Sequence, residues 1–92
     1  MIKIGERMLG SPLAEDLAGG LPRIELTGNS RLLIEEHRGI LEYTDRVLKA
    51  ALRQGAVRVT GEELQLTALT LREVAVSGRI RSVELLDGDE RG

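Results

Sequence analysis

One five-residue pattern recurs along this chain: an apolar residue, any residue, a second apolar residue, Thr or Ser, then Gly or Asp. It occurs as Ile24-Glu25-Leu26-Thr27-Gly28, Leu41-Glu42-Tyr43-Thr44-Asp45, Val57-Arg58-Val59-Thr60-Gly61 and Val74-Ala75-Val76-Ser77-Gly78, at intervals of 17, 16 and 17 residues. Alternation at period two is the signal of a half-buried strand, and Gly or Asp after it marks a turn. A second apolar segment follows each copy: Leu32-Leu33-Ile34, Val47-Leu48, Leu64-Gln65-Leu66 and Ile80 to Leu85. The unit is therefore strand, turn, strand, and the regular spacing points to structural periodicity.

Counting both halves of each unit predicts an all-β fold of about eight short strands. They fall near 23–27, 31–36, 40–44, 46–53, 56–60, 63–68, 73–77 and 80–85. Turn chemistry separates them at Gly28-Asn29, His37-Arg38-Gly39, Asp45, Gln54-Gly55, Gly61-Glu62 and Gly78-Arg79. The stretch 46–53 would also suit a helix face through Leu48, Ala51 and Leu52, but it is short and sits inside the repeat, so it is read as strand. Clean alternation, with Ile24 and Leu26 opposing Glu25 and Thr27, is the mark of antiparallel strands with one dry and one wet face. Two architectures fit: a β-meander that rolls over or folds into two layers, and a short β-solenoid with one repeat per coil. The short turns favour the meander. Its edges would be the first and last strands, near Ile24–Thr27 and Ile80–Leu85.

The first 20 residues differ in character from the β domain at 21–86. Ser11-Pro12 reads as an N-cap followed by proline at the first helical position, Leu13 and Leu17 share one face, and Gly19-Gly20 ends the run. This predicts an N-terminal arm with a short helix, serving as a lid on the domain's own core or as a docking element. The tail 87–92, Asp-Gly-Asp-Glu-Arg-Gly, has no apolar residue and is predicted to be disordered.

Composition narrows the chemistry. The 92 residues hold no Cys, Phe or Trp, one Tyr (Tyr43) and one His (His37). Disulfide scaffolds, thiolate zinc sites and cysteine nucleophiles are excluded. One tyrosine cannot build an aromatic stacking platform. A net charge of -2 argues against a nucleic-acid footprint. No stretch approaches the ~18 apolar residues of a bilayer span, and Met1 to Arg7 lacks the apolar region of a signal peptide. The apolar 41% is almost wholly Leu, Val, Ile and Ala, which makes a thin core.

The candidate reactive groups are sparse. Glu35, Glu36 and His37 are adjacent, and neighbouring strand residues point to opposite faces, so at most two could share an ion. His37 is read as a turn histidine bonded to backbone, and its replacement by Ala is expected to change stability little. Glu62-Glu63 and Glu15-Asp16 are sequence neighbours, unlike the paired acids of a hydrolytic cleft, which come from separate elements. Arg38, Arg79 and Arg81 are interspersed with glutamates and read as a mixed solvated face. No catalytic residue, metal site or cofactor is assigned.

The segments Leu21-Pro22-Arg23-Ile24-Glu25-Leu26-Thr27-Gly28-Asn29 and Ile34-Glu35-Glu36-His37-Arg38-Gly39-Ile40-Leu41-Glu42-Tyr43 resemble the YabP/YqfC family of sporulation proteins. Segments 57–66 and 76–84 match as well, and the resemblance spans about residues 12–86. Its most specific parts are Gly28-Asn29 and the Glu-His-Arg-Gly-Ile run; Glu36 departs from the pattern, which has Asn before the histidine. The resemblance implies a small protein of the mother-cell cytoplasm of endospore-forming bacteria, acting in spore assembly beside a membrane-associated partner and without enzymatic activity. It marks Gly28, Asn29, His37, Arg38, Gly39 and Tyr43 as the expected interaction residues. No nucleic acid or small-molecule substrate is expected, and a homo-oligomer is admitted. Two rival functions remain open: a small ligand- or cell-wall-binding enzyme, and a self-assembling scaffold polymer.

Overall fold

The computed structural model describes residues 21–87. The predicted N-terminal helix and the tail beyond Asp87 lie outside these residues. Six strands form: β1 (Arg23–Thr27), β2 (Arg31–Glu35), β3 (Ile40–Tyr43), β4 (Val47–Ala51), β5 (Ala56–Leu69) and β6 (Glu73–Leu86). They make one antiparallel sheet in the order β1-β2-β6-β5-β4-β3. No helix occurs among the described residues.

All eight predicted strand segments are strand, but they make six strands rather than eight. The breaks expected at Gly61-Glu62 and Gly78-Arg79 are not turns. Each lies inside a 14-residue strand, where the β5–β6 register slips between Thr60 and Gly61 and again between Glu62 and Gln65. Gly after an alternating run is the signal of a bulge as much as of a turn, because both need a residue that leaves the regular ladder. The stretch 47–51 is strand, as read.

The sequence repeat survives as a pattern of docking. In the first two units the middle is a hairpin turn; in the last two it is a bend in the long β5–β6 hairpin. The turn between β1 and β2 offers the carbonyls of Asn29 and Ser30 to the N–H groups of Ile80 (2.8 Å) and Gly78 (3.1 Å). The turn between β3 and β4 does the same with the carbonyls of Asp45 and Arg46, which accept from Leu64 (2.8 Å) and Gly61 (3.0 Å). Each peripheral hairpin thus hangs by its tip on one bend of the central hairpin.

Leu32 and Ile34 of β2 lie opposite Val76 and Val74 of β6, and Leu48 and Ala50 of β4 lie opposite Val59 and Val57 of β5, all of them buried. All belong to a single buried cluster with Leu52, Leu64 and Ile80. All six strands belong to one antiparallel open sheet.

Two expectations are corrected. A solenoid coil stacks parallel strands, and every pairing here is antiparallel. A simple meander holds only from β3 to β6, because β2 returns to pair with the start of β6 through Arg31–Glu35 and Ser77–Glu73. In consequence β6 is interior to the sheet order, and the second edge is β3 rather than the segment Ile80–Leu85.

Candidate interaction site

The crossover at 36–39 carries the chain from β2 to β3 at the opposite edge of the sheet, and it is fastened by backbone. The N–H groups of Glu36 and His37 both donate to the carbonyl of Arg72, at 2.6 and 3.3 Å. Arg38 N–H donates to the Ala51 carbonyl (2.7 Å), and Ala51 N–H donates to the Gly39 carbonyl (2.8 Å). Glu36 takes a left-handed conformation with φ of 66°, which turns the chain out of β2.

His37 completes the fastening. It is the one buried polar or charged residue among those described, at 6% exposure. Its Nδ1 accepts the Gly39 N–H at 2.9 Å, so the ring proton sits on Nε2, which donates to the Thr70 carbonyl at 2.9 Å. Both nitrogens of the neutral ring are satisfied, and the ring joins the crossover to the β5–β6 turn 33 positions away. The reading of His37 as a backbone-bonded turn residue agrees with this geometry. The expectation that its removal costs little does not, because a buried group with two backbone partners cannot be deleted without orphaning both.

The other expected interaction residues lie in two further places. Gly28 and Asn29 occupy the exposed β1–β2 turn, where Asn29 serves through its backbone carbonyl as described above. Arg38 is exposed at the crossover, beside half-buried Gly39. Tyr43 is half exposed on β3, and its hydroxyl accepts the Leu66 N–H at 3.0 Å and donates to the Leu64 carbonyl at 3.5 Å. The six residues therefore fall in three separate places, where Asn29, His37 and Tyr43 tie the outer segments to β6, the β5–β6 turn and β5, and Arg38 and Gly39 bond Ala51 of β4. Composition could flag them because His and Tyr each occur once, but nothing local names the distant carbonyls they meet.

Several of the remaining surface charges are paired across β5 and β6. Glu62 holds Arg79 at 3.0 Å and Arg81 at 3.2 Å, while Arg58 meets Glu84 across β5 and β6 at 2.9 Å. The mixed-charge face read from the sequence thus exists at Arg79 and Arg81, and Glu62 is held by two guanidinium groups rather than set against Glu63. Glu15 and Asp16 lie outside the described residues. Depressions open on the surface of the described residues. One, of about 550 Å³, lies over the outer face of β1 and β2 and is lined by Glu25, Thr27, Arg31 and Leu33, with Thr67 and Ser77 beyond. Another, of about 490 Å³, is lined by Asp45, Glu63, Gln65 and Ser77 around Leu64 and Gly78. Among the described residues no group of three or more His, Cys, Asp or Glu could hold a metal ion. No helix there is long and apolar enough to cross a membrane.

Comparison with known proteins adds two findings. The model of the YabP family matches residues 20–92. A protein of Bacillus subtilis (strain 168) carrying the name uncharacterized protein YqfC is 29% identical over 72 residues, covering 78% of this chain and 77% of that protein. No solved structure matches.

Proposed function

This chain belongs to the YabP family, and from that membership we propose that it is a non-catalytic interaction protein of endospore formation, acting in the mother-cell cytoplasm beside a membrane-associated partner. The process comes from the family resemblance. The observation that supports a non-catalytic role is the state of His37: the residue type most used for proton transfer has both ring nitrogens committed to backbone groups inside the fold. Glu62 is likewise held by two arginines.

The test is affinity purification of the tagged full-length protein from sporulating cells, with chemical crosslinking before lysis. Recovery of an integral membrane protein, dependent on crosslinking and absent from vegetative cells, is the expected result. A protein that appears only in vegetative cells, or turns over a cell-wall fragment in vitro, overturns the proposal.

A further inference from the structure

The two edges of the sheet differ. β3 is four residues long, and its pairing slips between Ile40 and Glu42, an irregularity of the kind that blunts an edge. β1 pairs with β2 without interruption from Arg23 to Thr27, so alternate N–H and C=O groups on its far side form an unbroken row. No charge points inward along β1 to repel a neighbour. Ile24 and Leu26 share the face of buried Ile34 and Leu32, and Leu26 remains 41% exposed at the open side.

We propose that this edge pairs antiparallel with β1 of a second copy, centred on Ile24, to make a two-fold dimer with a continuous sheet. Directly opposite residues in an antiparallel pair share a face. Centring on Ile24 sets Arg23 opposite Glu25 of the second copy and Glu25 opposite its Arg23, giving two matched charge pairs. The same register lays Pro22 of the second copy against half-exposed Leu26. Centring on Glu25 would oppose two like charges, and centring on Leu26 would run the pairing into the turn at 28–30. Arg23 is available for the contact: its side chain is 67% exposed, and its own-chain partners Glu25 and Glu35 stand at 3.7 and 4.0 Å. The contact uses the same patch on both copies, so it closes at two and does not propagate into a filament. It rests on the edge alone and stands apart from the sporulation reading.

Sedimentation equilibrium of the full-length chain over a concentration series provides the test, with circular dichroism confirming that each variant stays folded. A reversible monomer–dimer equilibrium is expected. Arg23→Glu and Glu25→Arg each replace two matched pairs by two like-charge pairs, which weakens the dimer by about tenfold or more. Mixing the two variants is expected to restore dimer, because the acidic edge of one then faces the basic edge of the other. A chain that stays monomeric throughout, as it would with residues 1–20 or another protein seated on β1, overturns the proposal. So does a dimer that neither substitution weakens, or a mixture that recovers nothing.

Discussion

Two glutamates sit in backbone conformations that suit other residues. Glu36 has φ of 66° and Glu63 φ of 55°, in the left-handed region where a Cβ meets the following carbonyl at a cost of about 1–2 kcal/mol. Asn tolerates this region better than Glu. The family pattern that has Asn before the histidine therefore acquires a reason at Glu36, where the crossover begins. Glu36→Asn is expected to raise stability by about 0.5–1 kcal/mol, read as an increased midpoint of urea unfolding at unchanged slope. The Glu36–Arg72 ion pair it removes is long, at 3.9 Å, and exposed on the arginine side, so it contributes little. His37→Ala acts in the opposite sense. It leaves Thr70 O and Gly39 N–H without their partner in a buried position, and a loss of about 2–3 kcal/mol is expected in the same measurement. That His37 bonds backbone was legible from its isolation in a chain without Cys or a second His. Its burial was not, because Thr70 is remote in sequence and carries no mark of the contact.

At the scale of elements, period-two alternation located every strand, including the ambiguous stretch 46–53. What it could not separate was a turn from a bend. Gly28 and Asp45 lie in true hairpin turns, whereas Gly61 and Gly78 occupy the same phase of the repeat inside continuous strands. The distinction lies in what crosses nearby. A Cβ at Gly61 would strike the carbonyl oxygen of Arg79, and one at Gly78 would strike that of Glu63, so the two glycines let β5 and β6 approach at their bends. Gly78 also has φ of 135°, which a side chain rarely adopts. Gly78→Ala is expected to cost about 3 kcal/mol or more, since a backbone oxygen rather than a flexible side chain must yield. Thermal unfolding followed by circular dichroism would register it; an unchanged midpoint would show that the bend tolerates a side chain.

For the molecule as a whole, the thin aliphatic interior was evident from the scarcity of aromatics, and the all-β class from the alternation. Strand order was not, since alternation says which face is dry but not which neighbour pairs. Burial also grades the effect of core substitutions. Val59 is fully buried in the core cluster, whereas Leu66 is only partly buried at its margin. Val59→Asp sets a charge among aliphatic side chains and is expected to abolish the fold, lost as chemical-shift dispersion in an amide NMR spectrum. Leu66→Asp, by contrast, should leave a folded but weakened protein, because its carboxylate can reach water.

The seam between β2 and β6 joins residues 31–35 to residues 73–77, while every other pairing links strands that are consecutive in the chain. During synthesis the first hairpin must therefore wait until residues 73–77 have left the ribosome before its companion exists. The later four strands can pair in order of emergence, while this distant zipper has the longest stretch of chain to close.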